Sequence, residues 1–158
     1  MTTTDPFNLH RFIGAQESFY SQALKEISNG RKTSHWIWFI FPQVRGLGHS
    51  PMSDNYGIGS LDEAQAYLNN LVLKSRLVEI STALLQHSKG GLFHKPKSAE
   101  QILGYTDALK VRSCMTLFDI IEPNSIFAQV LDAFYNGERD TLTLQILKDL
   151  SLSNHNCT

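Results

Sequence analysis

Residues 30–63 read Gly30-Arg-Lys-Thr-Ser-His-Trp-Ile-Trp-Phe-Ile-Phe-Pro-Gln-Val-Arg-Gly-Leu-Gly-His-Ser-Pro-Met-Ser-Asp-Asn-Tyr-Gly-Ile-Gly-Ser-Leu-Asp-Glu63. Both tryptophans of the chain and two of its six histidines lie in this stretch, among basic residues and repeated glycines. A plain core segment is mostly apolar and a plain loop is mostly polar, and this stretch is neither. We therefore interpret it as the functional surface, where a ligand is expected to sit.

Length and composition indicate one globular domain. The chain has 158 residues, of which 42% are hydrophobic and 18% charged, with a net charge of −1. A chain of this size buries roughly 70% of its unfolded surface, so a second core is not needed. We expect a single domain over residues 1–150 and a polar tail over residues 151–158 that frays.

Charge and cysteine usage limit the partners and the compartment. A pI near 6.6 argues against bulk nucleic-acid binding, which needs a concentrated basic face. Cys114 lies in an apolar pattern and Cys157 in the tail, so a disulfide is not expected, which suits a reducing cytoplasm. No signal peptide or membrane span is visible, and no membrane partner is predicted. The sequence does not predict the oligomeric state.

Apolar residues recur at spacings of three and four through most of the chain, which is the pattern of amphipathic helices. The first helix is expected after Asp5-Pro6 and ends at Asn29-Gly30. Later starts are indicated by capping residues at Ser50, Ser60, Ser98, Thr106, Asn124 or Ser125, and Asp140. The sequence therefore predicts an all-α fold, a compact single domain of seven to eight helices, several of them short.

The segment 35–41 is ambiguous between helix and strand. Trp36, Phe39 and Ile40 fit helical spacing, whereas Trp36, Trp38 and Ile40 fit strand alternation. Since the rest of the chain reads as helical, a partner strand is hard to find. We favour a helical turn ended by Pro42.

Several specific strings resemble a known family. The domain of unknown function 1810 family is similar at Asp5-Pro6, at the run from Gly30 to Gln43, at Gly46-Leu-Gly48 with Ser50-Pro-Met52, at Ser60-Leu-Asp-Glu-Ala64, and at Lys110-Val-Arg-Ser-Cys-Met-Thr-Leu-Phe118. The resemblance covers nearly the whole chain before the tail. It implies a soluble, mainly helical protein of one domain and no established activity.

A shorter resemblance lies in the first helix. The string His10-Arg-Phe-Ile-Gly-Ala-Gln16 is similar to a helix of the NADAR proteins, which act on ADP-ribose derivatives. The acidic residue of that family's string has no counterpart here, because the position falls on His10 or Leu9. No catalytic residue follows from this resemblance.

A basic and glycine-bearing corner suggests an anion site. Arg31, Lys32 and Arg45 accompany Gly46, Gly48 and a helix start at Ser50. Amide groups at a helix start attract anions, and arginine holds phosphate or carboxylate oxygens bidentately. The alternative is a solvated basic pair beside an ordinary turn, since the glycine spacing matches neither a P-loop nor a dinucleotide fingerprint. No cofactor is predicted.

Aromatic side chains in the same stretch offer faces for stacking a planar ring. Trp36, Trp38 and Tyr56 are the candidates. The alternative is a core position, which is the commoner use of tryptophan. At helical spacing at most one of the two tryptophans is expected to line a pocket.

His49 and His35, with Asp54 as a neighbouring carboxylate, are the candidate catalytic residues. Imidazole serves as acid or base near physiological pH when it is correctly placed. The alternative is a histidine that hydrogen-bonds the backbone. No metal site is predicted, because the histidines and cysteines lack ligand spacing.

A polar strip is predicted on a later helix, Asp107–Ile121. Arg112, Ser113 and Thr116 share one side of this otherwise apolar helix. We consider two alternatives: the strip forms the second wall of the site, or Arg112 makes an internal ion pair with Asp5 or Glu17.

These patterns lead to one main hypothesis and one rival. The main hypothesis is a cleft between residues 30–58 and 107–121 that binds a small anionic, phosphorylated ligand such as a nucleotide or an ADP-ribose derivative. Whether the protein is an enzyme stays open. The rival is a protein-interaction module with an exposed patch over Trp36, Trp38 and Val44.

Overall fold

The computed structural model describes residues 4–156, with side chains as far as Leu152. Nine helices lie within this range: α1 (His10–Ser28), α2 (Ile37–Ile40), α3 (Pro51–Tyr56), α4 (Leu61–Asn69), α5 (Leu71–Gln86), α6 (Ala99–Leu103), α7 (Tyr105–Ile121), α8 (Ile126–Tyr135) and α9 (Thr141–Asn156). The predicted all-α class is confirmed and several helices are short as expected, whereas the described residues form nine helices and the sequence predicted seven to eight. Within residues 4–156 no helix has both the length and the apolar character that crossing a bilayer requires.

The ambiguous segment 35–41 contains a helical turn. α2 is four residues long, and the described residues contain only an isolated bridge between Val44 and Ile58 in place of a strand. The aromatic run is short because Pro42 cannot continue a helix. The turn packs against α1 and α3, which places Phe39 and Ile40 in the core.

Most helix starts follow the predicted caps. The side chains of Ser50, Ser60, Ser98 and Asp140 each accept a backbone N–H three residues later. Asp5 also acts as a cap, since its carboxylate accepts the N–H groups of Leu9 and His10 at 2.8 and 3.0 Å. α1 nevertheless begins at His10, because residues 6–8 form a turn before the helix.

The C-terminal helix is longer than expected. The sequence predicts an end at Leu150 followed by a polar tail, whereas α9 continues to Asn156. Glycine and proline are the usual stop signals of a helix, and residues 151–156 contain neither. The last two residues of the predicted tail lie outside the described part of the chain.

Two long helices organise the core. α7 packs against α4, α6, α8 and α9, and α1 packs against α5 and α2. Phe118 of α7 meets both Tyr67 of α4 and Phe127 of α8 at ring-centre distances of 5.2 and 5.7 Å. The segment from Gly30 to Trp36 connects α1 to α2.

A buried carboxylate fixes this connecting segment. Glu26 of α1 is 5% exposed, and its Oε1 accepts the backbone N–H groups of Thr33 and Ser34 at 2.8 and 2.9 Å and the Trp36 indole N–H at 3.0 Å. Its Oε2 accepts the side-chain amide of Gln22 at 2.7 Å. One side chain thus determines the path of the chain over residues 33–36.

The same contacts set the protonation of Glu26. Burial raises its pKa, but the hydrogen bonds from Ser34, Gln22 and Thr33 outweigh burial and leave the pKa well below the ordinary value. Hydrogen bonds to a carboxylate favour its charged form. Glu26 therefore stays ionised in the folded protein under conditions where an unfolded chain would protonate it.

Substitution Glu26→Gln is expected to lower the free energy of unfolding by about 2 kcal/mol, because charge-assisted hydrogen bonds become neutral ones. Urea unfolding of the two proteins at neutral pH measures this difference. Glu17→Gln on the same helix is the matched control, since its ion pair with Arg76 is largely exposed and is worth at most about 1 kcal/mol.

The pH dependence provides the second part of this test. Because the folded pKa of Glu26 is depressed, its stabilisation is complete above the ordinary glutamate pKa of roughly 4.3 and declines as the pH falls below it. The stability gap between the wild type and Glu26→Gln should therefore narrow on acidification. A gap that stays constant or widens contradicts this assignment.

Candidate functional site

A cleft lies where the connecting segment meets the start of α7, and we call it the α7 cleft. It encloses about 330 Å³. Its walls come from the connecting segment, α2, the α6–α7 junction and the first turns of α7: Lys32, His35, Ile37, Trp38, Leu103, Gly104, Tyr105, Thr106, Asp107 and Lys110. The two segments between which the sequence predicts a cleft, residues 30–58 and 107–121, contribute part of these walls, and residues 103–106 lie outside both segments.

Lys32 supplies a nearly buried cation to this cleft. Its side chain is 7% exposed, and its Nζ lies 2.8 Å from Asp107 Oδ2. Nζ also donates to the Ser34 carbonyl oxygen at 2.5 Å and lies 4.8 Å from the centre of the Trp36 ring. Since a buried ammonium group is costly without a partner, Asp107 is the counterion that allows Lys32 to lie here.

A second lysine shares the same carboxylate. Lys110 Nζ lies 3.5 Å from Asp107 Oδ1 and 5.0 Å from the centre of the Trp38 ring. Two ammonium groups therefore surround one carboxylate, which leaves an excess of one positive charge. The flat face of Trp38 supports Lys110 through a cation–π contact.

The N-terminal end of α7 adds to the positive character of the cleft. Gly104 precedes the helix with a φ of 84° and a ψ of 162°, and no side chain caps the first turn. Thr106 was expected to be the cap, but the chain turns sharply at Gly104 and takes Thr106 into the helix. The uncapped N–H groups and the helix dipole favour an anion at this position.

The predicted polar strip of α7 lies elsewhere. Arg112 Nη2 is 3.6 Å from Asp140, and Nη1 is 4.0 Å from Glu138. Ser113 donates to the Leu109 carbonyl oxygen, and Thr116 donates to the Arg112 carbonyl oxygen while it accepts the N–H of Asp140. The strip ties α7 to the start of α9 and does not form the second wall of the cleft.

The internal ion pair of Arg112 also has partners other than those expected. Asp5 caps α1, and Glu17 pairs with Arg76. Asp140 and Glu138 take their place because the sequence between α8 and α9 folds back beside α7.

The glycine-bearing corner forms a separate hollow. Gly48 and Tyr56 line it together with Trp38, but it encloses only about 10 Å³, the space of roughly one water molecule. Arg45 donates to the carbonyl oxygens of Asp54 and Gly57 at 3.2 and 3.0 Å. Ser50 caps the six-residue α3, and Gly46 lies in the exposed turn before it. This corner is too small for an organic ligand.

The two tryptophans differ in exposure. Trp36 is fully buried and donates to Glu26, so it offers no face to a ligand. Trp38 is partly buried and lines the α7 cleft. Val44 is also buried, so the exposed patch over Trp36, Trp38 and Val44 that the rival hypothesis requires does not exist.

The candidate catalytic residues are not assembled into a pair. His49 and Asp54 are exposed, and no hydrogen bond or ion pair of residues 4–156 joins them. His35 is exposed at the rim of the α7 cleft, whereas Arg31 is exposed outside it. His35 is therefore the predicted catalytic candidate that the structure places beside the other cleft residues.

Other chemistries have less support from the geometry. Within the described part of the chain, no three histidine, cysteine or acidic side chains are grouped so that they can hold a metal ion. Burial raises the pKa of the Cys114 thiol well above its usual value, which disfavours a nucleophilic thiolate.

Sequence reasoning missed seven of the ten lining residues of the cleft, and Tyr105, Asp107 and Lys110 are among them. A signal for two of them was present, because Asp107 and Lys110 are three positions apart and face the same way on a helix. Tyr105 is 67% exposed, and no periodic pattern indicates that it lines the cleft.

Comparisons with known proteins identify the family. A family model described as "Protein of unknown function (DUF1810)" matches residues 6–147. The chain belongs to the DUF1810 family. A crystal structure of the conserved hypothetical protein Rv1873 from Mycobacterium tuberculosis is similar in fold and sequence, with a TM-score of 0.84 and 43% identity over 91% of this chain and 99% of that chain. No curated protein matches the chain.

Substitution Asp107→Asn is expected to lower the free energy of unfolding by about 3 kcal/mol, because it removes the counterion of a nearly buried lysine. Urea unfolding measures the change. Glu138→Gln is the control, since this exposed acid at 4.0 Å from Arg112 should contribute less than about 1 kcal/mol. Equal effects of the two substitutions would show that Lys32 does not depend on Asp107.

Proposed function

We propose that the α7 cleft binds a small phosphorylated ligand with a planar ring, of the nucleotide or ADP-ribose type. The observation that carries the proposal is the group formed by Lys32, Lys110 and Asp107 at the uncapped start of α7. Two cations share one carboxylate there, so one positive charge has no counterion within the group. A phosphate supplies the missing negative charge.

The N-terminal end of α7 strengthens the preference of the cleft for phosphate. The first N–H groups of α7 have no side-chain cap, and such groups bind phosphate oxygens through hydrogen bonds and the helix dipole. Lys110 is 24% exposed, which leaves its ammonium group accessible to a ligand. Lys32 is nearly buried and holds Asp107 in place, so Lys110 is the main direct contact.

The size and the aromatic walls suit the rest of such a ligand. A volume of about 330 Å³ is at the lower end of the range of small-molecule sites. Tyr105 and Trp38 flank the cleft, and the Tyr105 ring is free to stack on a planar group. The resemblance of residues 10–16 to proteins that act on ADP-ribose derivatives is compatible with this ligand class.

The proposal concerns binding rather than a defined reaction. His35 lies at the rim of the cleft and is the side chain available for proton exchange with a bound ligand. The cleft contains no serine or cysteine that could act as a nucleophile with it.

The wild-type protein should show a higher melting temperature with AMP or ADP-ribose than without ligand, and calorimetric titration should give a single site per chain. Lys110→Met should weaken binding about tenfold, which corresponds to roughly 1.4 kcal/mol, because the accessible ammonium group is lost. Lys148→Met on exposed α9 is the matched control and should bind as the wild type does.

A second variant distinguishes the contribution of the planar ring to binding from that of the phosphate. Tyr105→Ser should weaken AMP binding and leave the response to inorganic phosphate unchanged, because only the stacking face is removed. Absence of stabilisation by all three compounds, or equal binding by the wild type and Lys110→Met, contradicts the proposal.

A further inference from the structure

The loop between α5 and α6 exposes two large apolar side chains. Leu92 is 93% exposed and Phe93 is 87% exposed, the highest values among the large hydrophobic residues that the structure describes as exposed. Neither residue belongs to the core or to the side chains packed against it. An isolated exposed leucine is ordinary, but an adjacent leucine and phenylalanine at the end of one projecting loop need an explanation.

The loop has a defined shape that keeps these side chains outward. The His94 N–H donates to the Gly91 carbonyl oxygen at 3.4 Å, and the Gly91 N–H donates to the His94 carbonyl oxygen at 2.7 Å, so Leu92 and Phe93 occupy the two central positions of a turn. Gly90 has a φ of 63°, and a Cβ there would lie 2.7 Å from the His94 carbonyl oxygen. Backbone contacts therefore hold the apolar pair at the apex.

Only positive charges surround this apex in sequence. Residues 88–97 contain Lys89, Lys95 and Lys97 and no acidic residue. Neither Lys89 nor Lys95 takes part in any ion pair of the described residues. The loop thus combines an apolar tip with a local charge of +3 in a chain whose net charge is −1.

A basic hollow lies behind the apex. It encloses about 460 Å³, and its lining includes His87, His94, Lys95 and Lys97 and no carboxylate. Lys97 and His87 also contact the end of α1, where Lys97 donates to the Gly30 carbonyl oxygen at 3.1 Å. The base of the loop is therefore anchored to the body of the protein while the tip projects.

We propose that residues 88–97 dock on an anionic lipid bilayer, with Leu92 and Phe93 in the interface and the lysines on the headgroups. A projecting convex tip with two apolar side chains fits a flat, deformable interface, whereas a protein partner would need a matching acidic cavity. Apolar insertion and attraction to anionic lipid act together in peripheral proteins. A contact of this kind needs no membrane span, so it departs from the expectation that the chain has no membrane partner.

Co-sedimentation of the full chain with vesicles tests the proposal. The wild-type protein should sediment with vesicles of phosphatidylcholine and phosphatidylserine, bind vesicles of phosphatidylcholine alone at least tenfold more weakly, and dissociate in high salt. The double variants Leu92→Ser with Phe93→Ser and Lys89→Gln with Lys95→Gln should each lose at least tenfold in binding, since each lysine near such a surface contributes about fivefold.

Leu71→Ser is the matched control, because Leu71 is 82% exposed at the start of α5, outside the loop. It should bind vesicles as the wild type does. The melting temperatures of all variants should match the wild type, because the altered side chains make no core contacts. Absence of wild-type binding to anionic vesicles, or full binding by the Leu92 and Phe93 double variant, overturns the proposal.

Discussion

The candidate site depends first on the carboxylate of Glu26. This side chain gathers two backbone N–H groups and the Trp36 indole N–H around one oxygen in a nearly water-free position. Burying the charge is unfavourable by itself, and the hydrogen bonds compensate for it. Because these donors belong to residues 33–36, the carboxylate fixes the segment that carries Lys32 toward α7.

The electrostatics of the α7 cleft follow from that placement. Lys32 reaches Asp107 because the connecting segment runs alongside the α6–α7 junction. The backbone N–H of Lys32 also donates to the Ile102 carbonyl oxygen there, at 2.8 Å. Asp107 is therefore paired with the nearly buried Lys32, and Lys110 lies farther from the same carboxylate, at 3.5 Å. Arg112 contributes nothing here because Asp140 and Glu138 already balance its charge on the side of α9.

The fold was predictable because its signals are local. Ser50, Ser60 and Ser98 cap helices as expected since a cap needs only the side chain and the following three residues. The roles of the tryptophans were not predictable in the same way: Trp36 lies in the core with its indole N–H bonded to Glu26, ten residues earlier in the chain. The sequence predicts a cleft between residues 30–58 and 107–121, but which cation faces the α7 cleft depends on tertiary ion pairs that periodicity does not encode. Lys110 therefore lines the cleft, and Arg112 does not.

The most direct test of this account is the map of backbone amide chemical-shift changes during titration of the ¹⁵N-labelled protein with AMP. Binding at the start of α7 should produce the largest changes at Tyr105, Thr106 and Lys110 and at the Trp38 indole N–H, with small changes at Trp36. Largest changes at residues 45–50, or changes spread evenly over the molecule, would contradict the claim that the start of α7 is the anion site.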